Sequence, residues 1–193
     1  MFFVAVTFSD TKIAELFDLL RLLAQPDFAR SAHVTLRGPY ANKKDISGGI
    51  LSKDVGKIQL RKAGNFFSER QHTVYLGVEI VGVDDFWYKP DFPNGTPHLS
   101  IYDGKDRKEA WVIFNLLRKF PWDLSLNSSP MHVLEAKRPV ETEFIFAYEK
   151  IARTLYEITE QQLSAVEVRQ LSLFERVGLM VKTCERIHLL CGA

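Results

Sequence analysis

Two cysteines in 193 residues, Cys184 and Cys191, are too few and too close together to form a disulfide framework. The fold must therefore hold by burial, as expected of a chain in a reducing compartment. Neither sign of charge is in surplus: 25 Lys and Arg stand against 24 Asp and Glu, a formal +1. A bulk nucleic-acid binder shows a clear basic excess, so any nucleic-acid partner here is small or held locally. The one basic stretch, in which Lys43, Lys44, Lys53, Lys57, Arg61 and Lys62 outnumber Asp45 and Asp54, reads as a solvated face. No apolar run approaches the roughly 18 residues that cross a bilayer. The opening "MFFVAVTFSD" is apolar but short and has no positive n-region, so it reads as a buried first strand. The expectation is a cytoplasmic protein with no membrane partner.

What is present is the composition of an ordinary globular domain, 46% hydrophobic and 25% charged. "FFVAVTF" reads as a strand. Ser9 or Asp10 then caps a helix running to about Ala24, with Ile13, Leu16, Phe17, Leu20 and Leu23 on one face. "AHVTLRG" is the next strand, followed by a weak helical turn between Asp45 and Val55. "KIQLRKAGNFF" and "HTVYLGVEIVGV" make a strand pair, and residues 83–97, rich in proline, read as loop. "HLSIY" is a further strand and "DRKEAWVIFNLLRKF" an amphipathic helix ended by Pro121. "WDLSL" and "MHVLEA" are expected to pair around "NSSP". From Glu141 onward the spacing is helical, with an apolar stripe through Leu163, Val166, Leu171, Phe174, Val177 and Val181; "FIFAY" alone could be a last edge strand.

Two of these strands echo each other. "HVTLRGPY" (33–40) and "HLSIYDG" (98–104) both carry histidine, an apolar residue, a hydroxyl residue and another apolar residue. The same offset matches "IQL" (58–60) to "DLS" (123–125), and a slightly shorter one matches "TVYLGVE" to "HVLEA". The chain thus reads as an α+β fold built from a duplicated unit of histidine strand, helical connection, strand and strand.

Strand side chains alternate faces, so His33, Thr35 and Arg37 are expected together, and likewise His98, Ser100 and Tyr102. If a pseudo-twofold relates the halves, the two sets meet across a groove. Two imidazoles and two hydroxyls without an adjacent carboxylate pair suit a phosphodiester. One oxygen must lose a proton and another gain one, and histidine, with an ordinary pKa of about 6.5, does either near neutral pH. The hydroxyls of Thr35 and Ser100, with Arg37, are placed to donate to the nonbridging oxygens. No metal is needed for that chemistry.

The paired H-x-[ST] motifs, "HVT" and "HLS", resemble those of the 2H phosphoesterase superfamily, which includes the bacterial 2′-5′ RNA ligases and the RNA cyclic phosphodiesterases. The resemblance covers roughly residues 1–140. It implies a bilobal fold, two antiparallel sheets flanking a central cleft with helices outside, and one His–hydroxyl pair on each lobe. It also implies His33, Thr35, His98 and Ser100 as catalytic residues, with His98 leaning to base and His33 to acid. The implied substrates are 2′,3′-cyclic phosphates, ADP-ribose cyclic phosphate or 2′,5′-linked nucleotides, the partner being a nucleotide or an RNA terminus, with no cofactor. Residues 141–193 form a helical extension outside that common core, packed on the domain or used for self-association.

Other readings compete. The same groove can hold a nucleotide or RNA end without turnover, and the histidines can be ligands of a metallohydrolase. Among aromatics able to stack on a base (Phe66, Phe67, Tyr75, Tyr40 and Tyr102), Phe67 and Tyr102 are favoured by position. Cys184, His188 and Cys191 share a helical face, which reads as a buried or interface stripe before it reads as a metal site, because no fourth ligand stands out.

Overall fold

The computed structural model describes residues 1–26, 31–46, 48–51, 55–81, 96–136 and 141–192. Most of the expected 83–97 loop lies outside them. After strand β1 (Phe2–Val6), Asp10 caps helix α1 (Thr11–Ala24) by accepting the Ile13 backbone N–H at 3.0 Å. The five apolar residues of the α1 stripe are all buried. Strand β2 (Val34–Tyr40) leads to a 3-10 turn at Lys43–Asp45 and the single-turn helix α2 (Gly48–Leu51). Then come β3 (Lys57–Phe67), β4 (His72–Ile80), β5 (His98–Gly104) and α3 (Arg107–Leu117). The chain ends in β6 (Leu124–Asn127), β7 (His132–Glu135), α4 (Glu141–Thr159), α5 (Ala165–Gln170) and α6 (Leu173–Cys191). "FIFAY" therefore opens a helix, not an edge strand.

The strands form one antiparallel sheet in the order β6-β3-β4-β5-β2-β1-β7. This corrects an expectation: β6 and β7 are not a hairpin. β6 pairs with β3 at one edge and β7 with β1 at the other. Six inter-strand steps of about 4.8 Å would put those edges roughly 29 Å apart in a flat sheet. The five steps from Asn127 to His132 reach at most about 18 Å. The sheet must therefore curl until its edges approach. Contacts at the closure agree, with Phe8 bridged to Ser128 and Ser129 N–H donating to the Thr7 carbonyl at 2.9 Å.

The two H-x-[ST] strands meet at the centre of this sheet, where Val34 pairs with Leu99. About that seam the order is symmetric: β2 stands against β5, β1 against β4 and β7 against β3, with β6 left over. The spatial match sets β4 against β1, whereas the sequence overlay set it against β7. One face of the sheet is sealed by α1 and α3, and Val6, Val34, Leu99 and Leu76 form a buried row across it. The last helices close the same core, with Ile151 and Leu155 of α4 and Met180 and Ile187 of α6 in one cluster with the strands.

The buried face of α6 is not the predicted stripe. Arg176, Met180, Cys184 and Ile187 turn inward, while Phe174 is 87% exposed. Arg176 explains the rotation: it donates to the Leu23 and Ala24 carbonyls at 2.8 and 3.1 Å, at the end of α1, and pairs with Glu109. His188 is carried inward on the same face. Its ring stacks on Phe120 at 5.6 Å and lies 4.9 Å from Trp122, and neither nitrogen has a hydrogen-bond partner among the described residues. Burial accordingly holds its pKa below the usual histidine value. A depressed histidine pKa contributes stability above the unfolded value, lost as pH falls below it. His188→Phe should therefore raise the melting temperature relative to wild type by more at pH 5 than at pH 7.5, read by scanning calorimetry. An equal shift at both pH values would contradict a neutral, buried His188. Among the described residues no helix is long and apolar enough to cross a membrane.

Candidate active site

On β2, Val34 and Leu36 are buried and His33, Thr35 and Arg37 half-buried; on β5, Leu99 is buried between the half-buried His98 and Ser100. Because Val34 pairs with Leu99 in antiparallel register, Thr35 lies across from His98 and His33 across from Ser100. Directly opposite positions have Cβ atoms about 4.5–5.5 Å apart, and the diagonal His33/His98 positions stand roughly 7–8 Å apart. The four residues thus form the corners of one patch, on the face away from the helix layer. Neither the Thr35 nor the Ser100 hydroxyl has a partner among the described residues.

Both imidazoles are held the same way. His33 Nδ1 lies 2.8 Å from the Ser31 carbonyl oxygen, and His98 Nδ1 lies 2.9 Å from that of Thr96. A carbonyl only accepts, so Nδ1 carries the proton and Nε2 of the neutral ring keeps its lone pair. His132 makes the same contact with Pro130 at 3.3 Å, so the bond belongs to a histidine opening a strand and is not itself a mark of catalysis. What sets His33 and His98 apart is that their strands adjoin. His132 is further along the same row, beyond Ala5, which pairs with both His132 and Thr35.

The other expected residues are not all brought here. β4 pairs Tyr75 with Ser100 but Val74 with Tyr102, so β5 carries one extra residue at Ile101. A bulge of this kind breaks the alternation. It turns Tyr102 into the helix layer, where it is 2% exposed and its hydroxyl donates to the Asp106 carbonyl at 3.1 Å. β3 has a similar shift between Leu60 and Ala63. Beyond it Phe67 faces the helices, in edge contact with His72 and Trp111 at 5.5 and 5.6 Å, and Phe66 takes the opposite face. Tyr102 and Phe67 are thus corrected as stacking residues. In β2, Thr35 pairs with Ala5 and Arg37 with Val4, a one-residue shift at Leu36, while burial still alternates and leaves Arg37 half-buried like Thr35.

Two aromatics on the site face, Phe66 and Tyr75, stand beside His98. Their rings stack at 4.5 Å, and both touch the His98 ring, at 5.6 and 5.0 Å. Gly64 makes this possible, since a Cβ there would lie 2.5 Å from the Tyr75 ring. Phe66 remains 50% exposed, and burial raises the Tyr75 phenol above its usual pKa. Gly77 pairs with His98, and Arg61 and Lys62 of β3 approach its Cα side, where an added Cβ would lie 3.4 Å from the Arg61 Cβ. Further along, Asp103 accepts from Thr73 and Gln71, both at 2.7 Å. Phe66 and Tyr75 are both among the stacking candidates of the sequence, but preferring them to Phe67 and Tyr102 requires the bulges, which no residue type announces.

The arrangement is an open patch with two imidazoles of fixed tautomer, two available hydroxyls and an aromatic shelf on one side. No family model and no curated protein sequence matches this chain. Among the described residues, no three of His, Cys, Asp and Glu converge so as to hold a metal ion.

Proposed function

We propose that the protein is a phosphodiesterase of the two-histidine kind, opening a 2′,3′-cyclic phosphate or a 2′,5′-type phosphodiester on a nucleotide or RNA end without a metal. In this reading the two halves of the curled sheet are the two lobes, each giving one H-x-[ST] strand to a cleft along the β2/β5 seam. The observation that carries it is the antiparallel register at Val34 and Leu99, which sets the two imidazoles diagonally with a hydroxyl beside each.

The phosphorus sits between the rings. One Nε2 takes a proton from water as its oxygen attacks, and the protonated ring opposite gives a proton to the ribose oxygen that departs. Each ring ends in the state in which the other began, so product release must be followed by proton exchange with solvent. Thr35 and Ser100 donate to the nonbridging oxygens, where negative charge builds. The base of the substrate lies against Phe66, with Tyr75 supporting that ring from beneath. His98, beside the shelf, is assigned as the base and His33 as the acid.

The test is a panel of 2′,3′-cyclic nucleotides, 2′,5′-linked dinucleotides and RNA ends bearing a cyclic phosphate, assayed without and with chelator, with products identified by mass. Turnover of at least one class is expected. Phe66→Ala should then raise KM by about 5- to 100-fold, the range for losing one base–aromatic stack, with kcat little changed. Binding of these compounds without any product would replace the enzyme by a nucleotide-binding module, and activity abolished by the chelator would replace it by a metallohydrolase.

A further inference from the structure

The helix layer holds a carboxyl group that the chemistry above does not use. Asp18, in α1, accepts the Ala32 backbone N–H and is bonded by the Ser31 side chain. Three residues on, the buried Arg21 donates from Nη1 to the Ser31 carbonyl oxygen at 3.3 Å. That oxygen is the one to which His33 donates from Nδ1, at 2.8 Å. A single peptide unit, the C=O of Ser31 and the N–H of Ala32, is thus gripped at both ends from α1 and serves in turn as the anchor of the imidazole. The corresponding peptide before His98 joins Thr96 to Pro97, and proline has no N–H to grip. The two histidines share a tautomer and differ in how it is enforced.

We propose that Asp18 is a positioning residue for His33, acting through the Ser31–Ala32 peptide to keep Nδ1 protonated and Nε2 directed to the open face. This rests on the reading of His33 as an acid/base group. The clamp is pH-sensitive. Burial pushes the Asp18 carboxyl up to about 6, while the Ala32 bond and the charges of Arg21 on its own helix and Lys150 on α4 pull it down. Above that pH the carboxylate holds the Ala32 N–H with a charge-assisted bond; below it the bond weakens as the group takes a proton.

The experiment uses the full chain labelled with nitrogen-15, as wild type, Asp18→Asn and Asp18→Ala, with 2′,3′-cyclic AMP as the substrate. In the wild type the Ala32 amide shift should titrate with a midpoint near pH 6, and the neutral His33 ring should be almost wholly the Nδ1–H tautomer at pH 8. Asp18→Asn should abolish the amide titration and Asp18→Ala should mix the His33 tautomers, with His98 unmoved in both. kcat should fall ~10-fold, the low end for losing a group that orients a working histidine, with KM nearly unchanged. An unchanged His33 tautomer in folded Asp18→Ala overturns the proposal. Should neither variant fold, the wild type decides, because an Ala32 amide indifferent to pH overturns it equally. If cyclic AMP is not turned over at all, the proposed function is at fault, and the ring and amide signals still decide the role of Asp18.

Discussion

His98→Ala and His33→Ala are each expected to lower kcat on a 2′,3′-cyclic nucleotide by ~10²–10⁴-fold, the usual share of one general acid or base. The double variant should lose little beyond the worse single one, because taking the proton and giving it are two ends of one displacement. The substitutions are well suited to the question. Both residues are half-buried, open their strands and face away from the helix layer, so the core row of Val34 and Leu99 behind them is untouched. KM should stay within a few-fold, since the aromatic shelf and the two hydroxyls remain. Thr35→Ala and Ser100→Ala should cost less, each removing one hydrogen bond to the phosphate. Initial rates with each variant, beside thermal melts that confirm folding, settle the matter. Either single histidine variant retaining a tenth or more of wild-type kcat would remove the mechanism.

Four residues of the candidate site could be read from the sequence because they lie on two short strands before any irregularity. From His33 to Thr35 and from His98 to Ser100 the strand period of two holds, and the motif states it directly. The bulges come immediately afterwards, at Leu36 and Ile101, and again in β3 between Leu60 and Ala63. Those at Ile101 and in β3 reverse the later assignments on their strands, while on β2 burial still alternates through Leu36 and Arg37. Position along the strands favours Phe67 and Tyr102, but the bulges lie before both, and Phe66 takes the site face. A bulge is decided by pairing across strands, so no window of a single strand contains it.

The fold shows the same division. The α1 stripe was legible because every residue in it is apolar and the helix is pinned by a local cap at Asp10. β6 and β7 look like a hairpin locally, but β6 lies against β3 and β7 against β1, partners so distant in sequence that no pattern within either four-residue strand names them. On α6 the hydrophobic spacing pointed one way and a charged residue decided otherwise. Arg176 is 8% exposed and spans α1, α3 and α6, and periodicity counts such a residue as surface.

Arg176 is accordingly the substitution expected to cost most stability. Arg176→Met keeps the volume of the stem but removes three donor contacts, to the Leu23 and Ala24 carbonyls and to Glu109. The carbonyls at the end of α1 lose their partner, and the Glu109 carboxylate, 21% exposed as a side chain, is left without its countercharge. Breaking a pair this far from water by deleting one member costs about 3–5 kcal/mol. For a chain of this length that lowers the melting temperature by roughly 10 °C. Adding Glu109→Gln to Arg176→Met should restore a good part of the loss, because the stranded charge is then gone, and urea midpoints of the two single variants and the double one measure the coupling. The loss should appear in a single cooperative transition, since α6 shares its core with α1 and the sheet. A separate early transition confined to the C-terminal helices, with the rest melting as in wild type, would mean that Arg176 fastens an appendage and does not brace the layer on which His33 is anchored.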